Sequence, residues 1–201
     1  MNAAEKALRA RNLRLLALLA GLFFLPLAVA FWMYYGTGWR PVGTVNHGEL
    51  IAPARPLPAV HLQPAVETDV ASGELFHRRK WSLVYVGDGQ CDDNCRKSLY
   101  VMRQTRLSLN NEIDRVERVF LATAHCCSQD FLAHEHPGLQ VFDASGAAAA
   151  SLLSLFPAAE REQTLFIVDP LGNLMMRYDV RQNPKGLLQD LKKLLSLSHI
   201  G

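Results

Sequence analysis

An uncharged run of 21 residues, from Leu15 to Tyr35, places the strongest limit on what this chain can fold into. An α-helix needs about 20 apolar residues to cross the hydrocarbon core of a bilayer. The run therefore predicts a transmembrane helix over residues 15–35. The competing interpretation is a cleaved signal peptide, because residues 28–30 have the small-x-small form of a signal-peptidase site. We favour the anchor, since the apolar run continues past Ala30.

Basic residues ahead of the run predict its orientation. Lys6, Arg9, Arg11 and Arg14 precede it, and such charges are retained on the cytoplasmic side. Residues 1–14 are therefore expected in the cytoplasm of a bacterium, with a single pass through the inner membrane and the C-terminal domain in the periplasm. The whole chain has a net charge of only +2, which argues against a nucleic-acid partner.

Residues 36–75 are expected to form a tether between the membrane and a folded domain. Glycines and prolines recur through this stretch and interrupt any regular period. Its prolines are Pro41, Pro53, Pro56, Pro58 and Pro64. The sequence leaves open a second possibility, in which residues 42–50 pack against the domain as an edge strand.

The remaining residues, 76–201, have the length of one ordinary domain and alternate between strand and helix patterns. A helical stripe runs from Cys95 to Ile113, and Pro184 opens a leucine-rich helix near the C-terminal end. Strands are predicted at 81–87, 116–123, 139–143, 165–168 and 174–178, and a further helix at 147–156. The last two strands flank a Pro/Gly turn and form a β-hairpin. This order predicts an α/β domain with a thioredoxin-like fold, in which helices flank a central mixed sheet.

Two cysteines lie where the first strand of this domain gives way to its first helix. Cys91 and Cys95 are four residues apart, so a helix that begins near Cys91 brings both sulfurs to one face. Backbone N–H groups and the helix dipole at such a junction stabilise thiolates. Three roles remain open for the pair: a structural disulfide, a redox pair that exchanges disulfides, and a site for a soft metal ion.

A second group of sulfur and nitrogen ligands follows the next strand, at His125, Cys126 and Cys127. Parallel strands present their following loops at one edge of a sheet, so this group is expected beside Cys91. Thiolates select Cu(I) and imidazole is a suitable partner, which makes Cys91, Cys95 and either His125 or Cys126 a candidate copper site. The alternative is a bridge between Cys126 and Cys127, or from either of them to the first pair.

These features resemble the Sco/SenC-type family, whose members deliver copper to cytochrome c oxidase. The resemblance covers the membrane anchor, the strand followed by Cys-x-x-x-Cys, and the hairpin over residues 166–172. It implies an assembly factor that handles copper or thiol redox state through Cys91 and Cys95, with an oxidase subunit or other respiratory assembly proteins as partners. The family's third copper ligand is a histidine just before the hairpin, where residues 160–164 read Glu-Arg-Glu-Gln-Thr. The chain therefore resembles a divergent, membrane-anchored bacterial branch of the family.

Two other classes of protein fit parts of the sequence. Thiol-disulfide oxidoreductases of the thioredoxin fold share the order of elements, but they carry a proline immediately before the hairpin, where this chain has Thr164. A non-catalytic interaction module would keep the fold and use Cys91 and Cys95 only as a structural disulfide. Two further histidines, His134 and His136, are expected to be solvated loop residues rather than metal ligands.

Overall fold

The computed structural model describes residues 3–37, 45–65, 75–76, 79–157, 161–198 and 200. The chain divides into two compact units, residues 1–45 and residues 46–201. In the first unit the described residues form one long helix. The second unit contains a six-stranded sheet and its helices, and it begins about thirty residues before the domain start expected at 76.

Helix α1 (Ala3–Gly36) forms the first unit. Its segment Leu8–Gly36 is long and apolar enough to cross a membrane. The span predicted over 15–35 lies inside this segment, and Pro26 is accommodated within the helix. A helix of this composition is the candidate membrane span of the protein.

The second unit follows the predicted order, with a strand added at its start and a helix added between the strands predicted at 116–123 and 139–143. Among the described residues its strands are β1 (Glu49–Pro56), β2 (Trp81–Gly87), β3 (Val116–Ala122), β4 (Gln140–Asp143), β5 (Thr164–Val168) and β6 (Asn173–Asp179). Its helices are α2 (Asp93–Leu107), α3 (Gln129–Glu135), α4 (Ala150–Leu153) and α5 (Pro184–Leu197). The order across the sheet is β1-β6-β5-β2-β3-β4. β2, β3 and β4 are parallel, whereas β5, β6 and β1 are joined to the sheet as antiparallel neighbours.

The helix predicted from Cys95 to Ile113 is α-helical only as far as Leu107. The Ser108 hydroxyl donates to the carbonyl of Gln104 (2.8 Å), and Asn110 has a φ of +52°, a left-handed conformation that asparagine tolerates. A 3₁₀ helix, Asn110–Arg115, then leads into β3. The stripe therefore spans two elements, which periodicity alone does not separate.

The sheet separates two layers of hydrophobic core. Leu83 and Tyr85 of β2 face the layer that contains α2 and α5, whereas Val84 and Val86 face the layer that contains α4. All seven residues of β2 are buried, because helices or loops cover both faces of this central strand. The segment that leads into α2 therefore starts from a fully buried strand.

Residues 46–65, which lie in the predicted tether, belong to the second unit, in agreement with the edge-strand alternative that the sequence left open. β1 pairs with β6 along one edge of the sheet, and Pro64 forms a β-bridge with Phe142 of β4 at the opposite edge. Leu57, between them, is 5% exposed. Edge strands tolerate proline because the position of the N–H group that proline lacks can face solvent rather than a neighbouring strand. The alternative of an edge strand over 42–50 is correct from Glu49 onward, while residues 42–44 lie outside the described part of the chain.

A buried carboxylate fixes the start of this segment to the last helix. Asp190 of α5, 5% exposed, accepts the backbone N–H groups of His47 (2.7 Å) and Gly48 (3.0 Å). It also accepts the hydroxyl of Tyr178 on β6. Burial and this bond raise the pKa of Tyr178 above its ordinary value. One side chain therefore holds three elements together.

Candidate functional site

A disulfide joins Cys91 to Cys95 at the junction between β2 and α2. Their Cα atoms are 5.0 Å apart, and the two residues are 2% and 1% exposed. Cys91 has a φ of +54°, so the chain turns sharply there before the helix begins. The junction predicted from sequence is confirmed, and in this structure the pair is oxidised.

The N-terminus of α2 is capped immediately beside the disulfide. The Asp92 carboxylate accepts the backbone N–H of Cys95 (2.9 Å), which is one of the donors left unpaired at any helix start. The Arg96 guanidinium donates to the carbonyl of Cys91 (3.3 Å) and lies over the ring of Phe131, 4.4 Å from its centroid. Three contacts therefore fix the conformation of the helix start, and its dipole favours negative charge on the sulfur of Cys95.

The loops that follow β2 and β3 meet, as the parallel order predicts. The Gly89 N–H donates to the carbonyl of Ala124 (2.8 Å), and the Ser128 N–H donates to the carbonyl of Gly89 (3.1 Å). A Cβ atom at Gly89 would lie 2.6 Å from the Cα of Cys126, so no side chain fits between the two loops. The second ligand group is thus held next to the segment that leads to Cys91.

His125 contacts the first loop through its side chain. Its Nδ1 lies 2.8 Å from Oδ2 of Asp88, and the His125 side chain is 65% exposed. The pKa of Asp88 lies below its ordinary range, first because its carboxylate accepts the N–H of Gln90 and then because of the bond to His125. His125 is therefore paired with a carboxylate at the rim of the site.

The remaining two cysteines are bonded to each other. Cys126 and Cys127 form a disulfide between adjacent residues, which was one of the pairings that the sequence left open. Cys126 is exposed, whereas Cys127 is half-buried against the core. In this oxidised form no group of three or more His, Cys, Asp or Glu side chains among the described residues is arranged to hold a metal. The copper set of Cys91, Cys95, His125 and Cys126 therefore stays a prediction for the reduced protein.

A small cleft opens at the disulfide. Its volume is about 240 Å³, and it is lined by Tyr85, Asp88, Gln90, Cys91, Asp92 and Glu162. The Tyr85 hydroxyl donates to the backbone carbonyl of Glu162 (3.1 Å), and burial with the nearby carboxylates of Asp92 and Glu162 raises the pKa of this phenol. Glu162 was not among the predicted site residues. The signal for it was its place just before the hairpin, where the resembling family has its histidine.

His136 is buried, contrary to the expectation of a solvated loop residue. It is 4% exposed, and its ring lies 5.2 Å from that of Phe131 in an edge-on arrangement. Burial and the nearby charges of Arg118 and Arg103 lower its pKa to about 4. His134 is exposed, as predicted, but it lies in helix α3 rather than in a loop.

These features define a thioredoxin-like domain behind an apolar N-terminal helix, with a disulfide at the first strand-to-helix junction of the thioredoxin-like order. Residues 81–198 match the family model described as transmembrane-like, thioredoxin-like, C-terminal domain. The match covers more than half of the chain, and the protein belongs to this family. No curated protein matches the sequence.

Solved structures of Sco proteins share this fold. Apo Sco1 from Thermus thermophilus is 16% identical, with a TM-score of 0.58, over 79% of this chain and 100% of that one. Yeast Sco1 with copper bound is 13% identical, with a TM-score of 0.56, over 77% of this chain and 95% of that one. A third structure is that of BsSco, a member of the Sco family of cytochrome c oxidase assembly proteins in which a disulfide switch was identified. It is 12% identical, with a TM-score of 0.53, over 77% of this chain and 99% of that one. At these identities the likeness shows the fold.

Proposed function

We propose that this protein is a membrane-anchored assembly factor of a respiratory cytochrome c oxidase, and that it acts by thiol–disulfide exchange at Cys91 and Cys95. The observation that carries the proposal is the Cys91–Cys95 disulfide at the start of α2, with Cys91 lining an open cleft. BsSco, which has this fold, supports the choice of process because it is a cytochrome c oxidase assembly protein with a disulfide switch.

The exchange follows from the positions of the two sulfurs. A client thiolate attacks the sulfur of Cys91, the residue of the pair that lines the cleft, and the bond to Cys95 breaks. The departing thiolate of Cys95 lies in the first turn of α2, where the helix dipole stabilises it. A second client thiol then displaces Cys91, which leaves the client oxidised and the pair reduced. The reverse sequence reduces a client disulfide, such as one between the copper-site cysteines of an oxidase subunit.

The membrane arrangement is the second part of the proposal. The basic residues Arg9, Arg11 and Arg14 hold the N-terminus in the cytoplasm, α1 spans the inner membrane uncleaved, and the domain lies in the periplasm. Disulfides form and persist in such an oxidising compartment, which agrees with two bonded pairs in the domain. Alkaline phosphatase fused after the last residue should be active, and the mature protein should retain its N-terminal residues in mass spectrometry. An inactive fusion would contradict the orientation, and a shortened N-terminus would contradict the anchor.

The reduction potential of the Cys91–Cys95 pair tests the chemistry. The full-length protein in detergent is equilibrated with glutathione buffers, free thiols are trapped with a maleimide, and tryptic peptides are weighed. The two pairs fall on separate peptides, residues 81–96 and 119–161, so each potential is read independently. We expect the first pair to lie well above about −300 mV, the range of exchange-active disulfides. A potential below that value would assign the pair to a structural disulfide and favour the interaction module.

A cellular experiment tests the process. In the source organism the gene is replaced by a Cys91→Ser/Cys95→Ser variant, and cytochrome c oxidase activity is measured in membranes. We expect a loss of oxidase activity at unchanged protein level. Gly146→Ala is the matched control, because Gly146 has open space around it and normal backbone angles. Full oxidase activity in the cysteine variant would refute the proposed role.

A second candidate function is copper handling by the same residues once they are reduced. Yeast Sco1, which shares the fold, has been solved with copper bound. Reduction would free the thiolates of Cys91 and Cys95, which suit Cu(I), while Glu162 supplies only a hard carboxylate at the cleft. His125 is the proposed third ligand. Competition titration of the reduced full-length protein with Cu(I) should show one tight equivalent that is lost in Cys91→Ser and weakened in His125→Ala. No difference between these variants and the natural protein would exclude the site.

A further inference from the structure

The Cys126–Cys127 disulfide lies at the same edge of the sheet as the Cys91–Cys95 disulfide, yet the exchange described above does not use it. We propose that Cys126 and Cys127 form a second redox pair, which passes electrons between protein clients and the buried first pair. Its substrates are the dithiols and disulfides of polypeptides. The proposal rests on the proposed exchange at Cys91 and Cys95 and adds the route by which a protein reaches it.

Exposure is the first observation. Cys91 and Cys95 are 2% and 1% exposed, and the cleft at Cys91 has a volume of about 240 Å³. That is below the roughly 300 Å³ at which pockets begin to enclose drug-sized molecules, so a small thiol reaches Cys91 more easily than a folded protein does. Cys126 is exposed on the neighbouring loop. A protein client therefore meets the second pair first.

The contact between the loops is the second observation. Gly89 is bound on both sides by main-chain atoms of the 124–128 loop, through its N–H to Ala124 (2.8 Å) and its carbonyl to Ser128 (3.1 Å). The Cα atom of Gly89 is two residues along the chain from that of Cys91, and it lies within about 4 Å of the Cα atom of Cys126. The Cα atoms of Cys91 and Cys126 are therefore at most about 12 Å apart. A disulfide spans up to about 6.8 Å between Cα atoms. A mixed disulfide then needs the loops to approach by about 5 Å at most.

The transfer of electrons between the two cysteine pairs is balanced in bonds, electrons and protons. With the second pair reduced by a client dithiol, the thiolate of Cys126 attacks the sulfur of Cys91, and Cys95 leaves as a thiolate. The thiolate of Cys127 then attacks Cys126 and releases Cys91. One disulfide has formed and one has broken, and two electrons and two protons have moved from the second pair to the first. The client is left with a disulfide, and the reverse order delivers electrons to a client.

Trapping of the mixed disulfide tests the geometry. The variant Cys95→Ser/Cys127→Ser keeps only Cys91 and Cys126, and mild oxidation of the full-length protein should link the tryptic peptides 81–96 and 119–161. The matched control is Cys91→Ser/Cys127→Ser, which keeps Cys126 with Cys95. Cys91 lines the cleft, whereas Cys95 is not among its lining residues and packs in the core with Leu99 of α2, so no link is expected. Absence of the link in the first variant, or equal linking in both, would overturn the proposal.

A kinetic comparison tests the route. The oxidised Cys91–Cys95 pair is reduced either by dithiothreitol or by reduced thioredoxin, a folded dithiol protein, in the natural protein and in Cys126→Ser/Cys127→Ser. Because access controls exchange rates, we expect thioredoxin to act about tenfold or more slowly on the variant, with the dithiothreitol rate unchanged. Equal thioredoxin rates would overturn the relay while leaving the proposed function intact. Failure of both reagents to reduce the natural protein would instead refute the proposed function, and the relay with it.

Discussion

Substitution of Gly89 by alanine should loosen the contact between the two cysteine-bearing loops. The new Cβ would lie 2.6 Å from the Cα of Cys126, 2.8 Å from the carbonyl oxygen of His125 and 2.9 Å from that of Ala124. All three atoms belong to the main chain, so no flexible side chain can move aside. Gly89 does not have a positive φ, and the effect should therefore come from the clash alone.

The expected cost follows from two contributions. Overpacking against a fixed main chain costs about 1–3 kcal/mol. The displaced loop also weakens the hydrogen bonds between Gly89 and both Ala124 and Ser128, which contribute about 1 kcal/mol each. We expect the free energy of unfolding to fall by about 2–4 kcal/mol, which lowers the melting temperature of a domain of this size by about 4–16 °C.

The assay compares thermal unfolding of the full-length protein in detergent, followed by near-ultraviolet circular dichroism, for Gly89→Ala and Gly146→Ala. A Cβ at Gly146 meets nothing within 4 Å, so this control should be neutral or gain about 0.5 kcal/mol from the loss of chain entropy in the unfolded state. The mixed disulfide between Cys91 and Cys126 should also form more slowly in the Gly89 variant. Equal melting temperatures for the two variants would refute the argument from close approach.

Three further substitutions test other parts of the structure. Asp190→Ala removes the carboxylate that accepts two backbone N–H groups and the buried hydroxyl of Tyr178, and urea unfolding should show a loss of about 3–5 kcal/mol, against about 1–2 kcal/mol for Tyr178→Phe. Glu162→His adds an imidazole to the cleft at Cys91 and should tighten Cu(I) binding to the reduced protein by about tenfold or more, whereas Glu162→Gln should not. His136 has a pKa near 4 in the folded protein against an ordinary 6.5, so between these values the unfolded chain binds a proton that the folded chain does not. The free energy of unfolding should therefore fall by up to about 3 kcal/mol as the pH drops through this window. In His136→Leu the urea concentration at the unfolding midpoint should depend less on pH over the same window.

The sequence predicted the elements that carry the cysteines because local patterns define them. The run Trp81–Gly87 is apolar and β-branched or aromatic, and the structure has a strand with those bounds. The parallel order of β2 and β3 then required the loops after them to meet, and the Gly89 contacts confirm it. Strand periodicity and one topological rule were enough for this part of the site.

The parts that the sequence missed depend on contacts between distant residues. His47 lies 143 residues before Asp190, and no local pattern links a backbone N–H to a carboxylate on the last helix. The choice between a ligand role and an adjacent disulfide for Cys126 and Cys127 was equally open, since pairing depends on three-dimensional approach. His136 has the sequence context of a loop, but it caps the end of α3, where its ring packs against that of Phe131.

The pairing of β1 with β6 has a consequence for how the protein is made. Glu49 of β1 pairs with Arg177 of β6, 128 residues further along the chain. β1 is therefore synthesised well before the strand with which it pairs. We expect such a long-range pairing to form late in folding, and until it forms the unpaired strand edge can associate with other chains. Pro53 and Pro56 have no backbone N–H to donate to a strand of another chain. The prolines that give this segment the composition of a linker therefore also remove two of the donors through which an unpaired β1 could join another chain.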